Sequence, residues 1–255
     1  MWYLIIQYFK FLLKSTNQHG VHSPFIYDLI TKCFYEKTDY PEYKDIQNYK
    51  STLKNNDAII SVEDLGPGSR KTKTHQRKVS QIAKISGTNL SRSKLLFRLS
   101  KYFKPNQVLE LGTSLGIATH AVHLGTPNCN ILSIEGCPNI SKFTCNRLKP
   151  LKNITIENAN FSEVLPNLSK HTFDLIFFDG NHQKEATLNY FETLLPTAHN
   201  NSVFIFDDIY WSKGMTEAWE TIKKHPKVSV TIDTFNWGFV FFRNEQAKED
   251  FVIRL

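Results

Sequence analysis

Apolar runs alternate with segments of helical periodicity from residue 107 onward. Strands are predicted at the apolar runs, which are residues 107–112, 130–135, 153–157, 173–179, 202–207, 228–233 and 237–243. Helices are predicted between the first six of these runs, at residues 116–124, 138–148, 161–168, 183–195 and 213–224. Short apolar runs separated by helical segments are typical of a doubly wound parallel sheet.

The last two predicted strands are joined in a different way from the others. Only residues 234–236 separate them, and a crossover between parallel strands needs a much longer connection. This pair is therefore predicted to form an antiparallel hairpin. The predicted fold class is α/β, a Rossmann-like seven-stranded doubly wound sheet whose C-terminal hairpin contains the one reversed strand.

The residues before the sheet are predicted to be mostly helical. We expect a helical N-terminal cap or lid over residues 1–90 and an α/β domain over residues 91–255. An amphipathic helix over residues 91–103 opens that domain, with its leucines on one side and a proline soon after its end.

The first helix, predicted over residues 2–13, has a wide apolar side. Gln7, Lys10 and Lys14 share its polar face. A helix of this length spans about 20 Å, which is less than the roughly 30 Å of a bilayer core, so no transmembrane segment is predicted. The apolar side is expected to pack on the body of the protein or on a partner subunit in a homodimer, and contact with a membrane surface stays open as an alternative.

A glycine turn joins the first strand of the sheet to the helix after it, in the sequence Glu110-Leu-Gly112-Thr-Ser-Leu-Gly116. Glycines in such a turn let the polar atoms of a ligand approach the backbone. The next strand ends in Glu135, and an acid at that position can accept both hydroxyls of a ribose. A nucleoside-containing cofactor is therefore predicted. Ser114 stands where a dinucleotide turn has its second glycine, which argues against a pyrophosphate.

The spacing E-x-G-x-x-x-G resembles motif I of class I S-adenosylmethionine-dependent methyltransferases. That resemblance implies that residues 91–255 form an S-adenosylmethionine-binding domain, with Glu135 as the ribose-binding acid and Glu110 facing the methionine end of the cofactor. The cofactor-binding residues implied or proposed are Glu110, Gly112, Thr113, Ser114, Gly116, Glu135, Asn160, Phe161 and Asp179. Among these, Asn160 and Phe161 would contact the adenine, although Phe161 could equally be a buried hydrophobe.

Acidic residues follow two further predicted strands. Asp179 ends the fourth strand, and Asp207 and Asp208 end the fifth. Three carboxylates at neighbouring strand ends repel one another unless a proton or a cation neutralises them, and a hard divalent ion such as Mg²⁺ would do so. The alternatives need no metal ion. In them, Asp179 only holds cofactor or substrate, and Asp207 and Asp208 are N-caps of the helix over 213–224.

These acids resemble those of magnesium-dependent, catechol-O-methyltransferase-like enzymes and related sugar O-methyltransferases, over residues 91–243. The resemblance implies that Asp179, Asp207 and Asp208 hold the metal. It also implies that His182, three residues after the first acid, is the general base. The acid at position 208, where the catechol enzymes have an amide, departs from the pattern, as does the region before residue 91. A helix-capping or surface histidine is the alternative for His182.

Composition and charge bear on the expected cellular location and on the expected class of partner. The four cysteines lack the spacing of metal ligands, which favours reduced thiols and a cytoplasmic protein. The net charge is +7, and the densest basic cluster is formed by Arg70, Lys71, Lys73, Arg77 and Lys78. A solvated helix face is the plainer interpretation of this cluster, and a patch for phosphorylated substrates or RNA is the alternative.

The predicted function is S-adenosylmethionine-dependent O-methylation of a small hydroxylated molecule with the assistance of a divalent metal. The alternatives are a metal-independent or RNA-directed methyltransferase of the same fold, or a non-enzymatic membrane-surface or scaffold protein with a relict fold.

Overall fold

The computed structural model describes residues 2–63, 75–85 and 87–255. Its α-helices are α1 (Trp2–Lys14), α2 (Pro24–Leu29), α3 (Glu42–Lys54), α4 (Val79–Ile85), α5 (Leu90–Phe103), α6 (Ile117–Gly125), α7 (Pro138–Leu148), α8 (Phe161–Leu168), α9 (Lys184–Leu194) and α10 (Lys213–Lys224). Its strands are β1 (Ile59–Ser61), β2 (Gln76–Lys78), β3 (Gln107–Leu111), β4 (Asn130–Glu135), β5 (Ile154–Asn158), β6 (Leu175–Phe178), β7 (Val203–Asp207), β8 (Val230–Asp233), β9 (Trp237–Phe241) and β10 (Glu249–Val252).

The chain forms two compact units. The central unit comprises Lys32–Phe161, and the terminal unit comprises Met1–Thr31 together with Ser162–Leu255. The predicted division into a cap over residues 1–90 and a domain over 91–255 does not coincide with these units, because the first ninety residues contribute to both. The division into a cap and a methyl-transfer domain at residue 90 stays a prediction.

In the central unit, β3, β4 and β5 pair in parallel. Their alternation with α6 and α7 follows the sequence pattern, because each crossover between parallel strands needs a helix-length connection. Val108, Leu109 and Leu111 of β3 are fully buried, as expected for a strand that is covered on both faces. Helix α3 contacts α5 and α6, so part of the region before residue 91 packs directly on the helix that follows the glycine turn.

In the terminal unit the strand order is β10-β8-β9-β7-β6. Strand β9 runs antiparallel to both of its neighbours, β7 and β8. The predicted hairpin and its reversed strand are therefore confirmed, because three residues cannot carry the chain across the sheet. The predicted α/β class is confirmed as well.

Two features of the sheets were not predicted. The terminal unit adds one strand to the seven that were predicted, because β10 pairs in parallel with β8 at an edge. Only Phe251 of β10 is buried, so the charged sequence of this edge strand has no apolar run to reveal it. In the region predicted to be mostly helical, β1 and β2 form a small antiparallel pair.

Candidate active site

The turn after β3 has an unusual backbone. Gly112 has a φ of 102°, Ser114 of 47° and Gly116 of 72°. The amides of Gly112 and Thr113 both donate to the carbonyl of Ile134, at 2.9 and 3.3 Å, which anchors the start of the turn to β4. Left-handed backbone at three positions out of five curls the chain tightly before α6, and glycine adopts such a backbone without strain.

Glu135 closes this turn from the end of β4. Its Oε2 accepts the amide of Ser114 at 2.8 Å, and its Oε1 accepts the amide of Cys137 at 2.9 Å. Burial raises the pKa of Glu135, and the backbone amides oppose that shift. The backbone amide of Gly136 also acts on this carboxylate. A carboxylate has about four acceptor sites, so the three amides leave an acceptor site for a ligand hydroxyl. The predicted ribose contact is compatible with this geometry and stays a prediction.

Glu110 is held inside the central unit. Its side chain is almost fully buried, and its Oε2 accepts the hydroxyls of Thr119 and Ser133. Its Oε1 has no hydrogen-bond partner among the described residues. Burial raises the pKa of Glu110 to about 7, against the effect of the two hydroxyls. The sequence does not reveal Thr119 and Ser133 as partners, because they lie on a helix and a strand with no motif of their own.

The raised pKa of Glu110 predicts a pH-dependent stability. Between pH 4.5 and about 7 the folded protein keeps this proton while the unfolded chain releases it, so stability falls as the pH rises. The loss is at most about 3 to 4 kcal/mol, from about 1.4 kcal/mol per pKa unit. We expect Glu110→Gln to flatten this part of the profile of unfolding free energy, measured by urea denaturation at several pH values. The exposed Glu163→Gln is the control, and profiles for Glu110→Gln and wild type that stay parallel would contradict the assignment.

Gly116 is required by both backbone and space. A Cβ atom there would lie 2.7 Å from Thr144 Cγ2 and 2.8 Å from Leu148 Cδ1. We expect Gly116→Ala to lower the unfolding free energy by about 2–4 kcal/mol, because it combines a left-handed backbone with overpacking. Thermal denaturation measures the loss. Gly214→Ala in α10 is the matched control, since its Cβ would meet nothing closer than 3.3 Å, and equal effects of the two changes would contradict this account.

Tyr49 of α3 supports the same turn. Its hydroxyl donates to the carbonyl of Leu115 at 2.9 Å, and its ring stacks on His120 at a centroid distance of 4.4 Å. Burial lowers the pKa of His120 to about 4, so this ring is neutral near pH 7. Tyr49 was not predicted as a site residue, because it lies in a helix that carries no recognisable motif.

The end of β5 lies next to Glu135. In the pairing of β4 with β5, Glu135 is opposite Asn158, and the side-chain amide of Asn158 donates to the carbonyls of Glu135 and Gly136 at 2.7 and 3.0 Å. Asn158 was not predicted as a site residue, yet it holds the backbone at the end of β4. Asn160 is exposed and Phe161 is half-buried at the start of α8. Their predicted contact with adenine stays a prediction.

Three of the predicted residues of the terminal unit come together. Asp179 follows β6, Asp207 ends β7, and one ligand atom from each of Asp179, His182 and Asp207 lies within 4.8 Å of the others. His182 Nε2 is 3.9 Å from Asp179 Oδ1. All three are buried or half-buried. Two carboxylates and an imidazole are oxygen and nitrogen donors that suit a divalent cation.

Asp208 is placed differently from Asp207. It has a φ of 54°, and its amide donates to Asn236 O at 2.9 Å and to Asp207 Oδ1 at 2.8 Å. Asp208 is not part of the three-residue group, in which His182 takes the third place. Aspartate tolerates the left-handed backbone better than most residues, which is a local reason for an acid here. Its predicted role as a metal ligand stays a prediction.

The capping alternatives for these residues are wrong. Helix α10 is capped by Ser212, whose hydroxyl accepts the amide of Met215 at 3.1 Å, so neither Asp207 nor Asp208 caps it. The N-cap position of α9 is occupied by Gln183. His182 therefore lies outside the helix, beside Asp179.

Most of the basic cluster lies outside the described residues, namely Arg70, Lys71 and Lys73. Of the rest, Arg77 is buried in β2, and Lys78 lies 3.4 Å from Asp57.

Within the described ranges, no helix combines the length and the apolar character needed to cross a bilayer.

Residues 109–209 match a family model described as a methyltransferase domain. A search of curated protein sequences finds no match to this chain. The family match spans the glycine turn, Glu135 and the acids that follow β6 and β7.

Several solved structures share the fold. SAH-bound methyltransferase PaMTH1 from Podospora anserina is 13% identical with a TM-score of 0.63, over 88% of this chain and 98% of that one. O-Methyltransferase TomG from Streptomyces achromogenes, in complex with SAM, is 17% identical with a TM-score of 0.55, over 63% and 83%. An O-methyltransferase from Bacillus cereus, in complex with SAH, is 15% identical with a TM-score of 0.53, over 83% and 98%. Together with the family match, they confirm the predicted resemblance to class I methyltransferases.

Proposed function

We propose that this chain is an S-adenosylmethionine-dependent methyltransferase that methylates a hydroxyl oxygen of a small molecule with the assistance of a divalent metal. The observation that carries the proposal is the closure of the glycine turn by Glu135, through the amide of Ser114 at 2.8 Å. It lies within the segment that matches a methyltransferase domain. The SAM and SAH named in the neighbouring structures support the choice of cofactor.

The cofactor would be held mainly by the central unit. The backbone of Gly112, Thr113, Ser114 and Gly116 would surround its polar atoms, and the Glu135 carboxylate would accept the ribose hydroxyls. Glu110 would face the methionine end of the cofactor, held in place by the hydroxyls of Thr119 and Ser133, which donate to it. Asn160 and Phe161 would contact the adenine by an amide hydrogen bond and by stacking, and Asp179 is proposed as a further cofactor contact.

The metal would be held by Asp179, Asp207 and Asp208. The closeness of the Asp179 and Asp207 oxygens supports the first two, because two carboxylates so near each other need a counter-charge. Asp208 is kept because it adjoins Asp207 in the chain. A divalent ion would supply Lewis acidity, which lowers the pKa of a hydroxyl that binds it.

His182 would take the proton of the acceptor. In the reaction the hydroxyl oxygen forms a bond to the methyl carbon, and the bond from that carbon to sulfur breaks. The sulfur keeps the electron pair, so the sulfonium becomes the neutral thioether S-adenosylhomocysteine. Imidazole is the side chain suited to accept the hydroxyl proton near neutral pH. Its position 3.9 Å from Asp179 would place this base beside the proposed ligands.

The test is formation of S-adenosylhomocysteine from S-adenosylmethionine with a panel of small catechols and other hydroxylated acceptors. We expect turnover that falls on chelation with EDTA and returns when Mg²⁺ is added. Turnover that survives exhaustive chelation would remove the metal and leave a metal-free transferase. A failure to bind S-adenosylhomocysteine at all would contradict the proposed function itself.

The cellular location and the class of methyl acceptor are also proposals. The four cysteines are free thiols, which supports a cytoplasmic location. The small-molecule acceptor is favoured over RNA because the described part of the basic cluster offers one buried arginine and one lysine beside an aspartate.

A further inference from the structure

Helix α1 is firmly docked on the terminal unit by one side. Tyr8 and Phe11 contact the ring of Phe235 at centroid distances of 4.9 and 5.5 Å. The hydroxyl of Tyr3 donates to Thr216 at 2.8 Å. Just after the helix, the amide of Thr16 donates to the carbonyl of Val252 at 2.9 Å. This side of the helix is therefore already used in packing.

The opposite side of α1 is an apolar stripe, which consists of Trp2, Ile5, Ile6, Phe9 and Leu13. The exposed fraction is 80% for Trp2, 62% for Phe9 and 88% for Leu13. Their spacing of three and four residues puts them on one face of the helix. A contiguous exposed patch of large apolar side chains marks an interaction surface rather than ordinary protein surface.

The charge next to the stripe indicates what covers it. Lys10 lies four residues after Ile6, and Lys14 lies four residues after Lys10, so both border the stripe along one margin. Helix α1 contains no carboxylate, and the net charge of the whole chain is +7. Two antiparallel copies packed by this stripe about a twofold axis would bring the lysine margins together, and in a parallel pair the opposite margin of α1 likewise offers no acid to pair with them. An anionic surface complements them.

The length and composition of α1 fit the interface of a bilayer. Thirteen residues are too few to span the hydrocarbon core. An amphipathic helix with tryptophan and phenylalanine on one face and lysine at its margin lies in the plane of the headgroups. We propose that the apolar stripe of α1 binds this protein peripherally to the surface of an anionic lipid membrane. This proposal does not depend on the methyltransferase activity.

Vesicle flotation of the full chain tests it. We expect wild type to float with vesicles of phosphatidylcholine mixed with phosphatidylserine, and less with phosphatidylcholine alone. The double variant Phe9→Gln/Leu13→Gln should lose binding by about tenfold or more, and Lys10→Gln/Lys14→Gln should remove the preference for phosphatidylserine. Ile59→Gln is the matched control, since Ile59 is exposed as much as Phe9 but lies on β1. Circular dichroism checks that each variant is folded.

Three outcomes would overturn the proposal. One is wild type that floats with neither kind of vesicle. Another is unchanged flotation of Phe9→Gln/Leu13→Gln, which would show that the apolar stripe is not the surface that binds the vesicles. The third is a dimer in light scattering that this double variant dissociates while no vesicle binding occurs, which would make a second copy the occupant.

Discussion

Replacing His182 by alanine is expected to lower the kcat of methyl transfer by about 10²- to 10⁴-fold, the usual contribution of a positioned general base. His182 lies with Asp179 and Asp207 in the one group of possible ligand atoms found among the described residues. Removing its imidazole would leave the acceptor proton without its proposed recipient. Steady-state kinetics over a range of pH measures the loss, and the arm of the pH–rate profile that reports the base should disappear with it.

The His182 experiment also separates a base from a metal ligand. A base can be removed without raising the Mg²⁺ concentration needed for half-maximal activity, whereas loss of a ligand raises it. His199→Ala is a matched control, because His199 is also paired with an aspartate, Asp174, at 3.0 Å, but it precedes β7 instead of following β6. A kcat of His182→Ala equal to that of wild type would remove the base assignment, and an unchanged kcat at higher Mg²⁺ would make His182 the third ligand.

Replacing Glu135 by alanine is expected to weaken binding of S-adenosylhomocysteine by at least about tenfold. Hydrogen bonds to a charged group contribute about 1.5–3 kcal/mol, and about 1.4 kcal/mol corresponds to a factor of ten. The change also releases the amides of Ser114 and Cys137, which Glu135 accepts at 2.8 and 2.9 Å, so the turn itself should loosen. Isothermal titration calorimetry measures the affinity.

Two further variants make the Glu135 result specific. Glu135→Gln keeps an oxygen acceptor and should lose less affinity than Glu135→Ala. Glu157 lies on the neighbouring strand β5, opposite Ile134, and Glu157→Ala should leave the affinity unchanged. If all of these proteins bind S-adenosylhomocysteine equally well, the ribose is bound elsewhere.

Most of the fold follows from hydrophobic patterning, for physical reasons that also explain the exception. Buried strands such as β6 and β7 need apolar residues on both faces, and these runs are visible in the sequence. Strand β10 has one buried side chain, Phe251, and pairs with β8 at the edge of the sheet. Its pairing depends on backbone groups and on a hydrogen bond from the Thr231 hydroxyl to Asp250, neither of which produces an apolar run in the sequence.

Some features of the candidate site could be predicted from the sequence, and others could not. Acids at the carboxyl ends of parallel strands are brought together by topology alone, so Asp179 and Asp207 could be predicted as neighbours. Asp208 lies outside the group and has a positive φ angle, a backbone conformation that the residue type permits but does not determine. The contact of Tyr49 with the glycine turn joins residues far apart in sequence, and no local pattern encodes it.

The most direct test of the central claim is a crystal structure of this protein with S-adenosylhomocysteine and Mg²⁺. We predict that the adenosine lies against the turn of residues 112–116, with both ribose hydroxyls within hydrogen-bond distance of the Glu135 carboxylate. A nucleoside bound at another place, or a turn filled by the protein's own side chains in the presence of saturating ligand, would contradict the account and every role assigned from it.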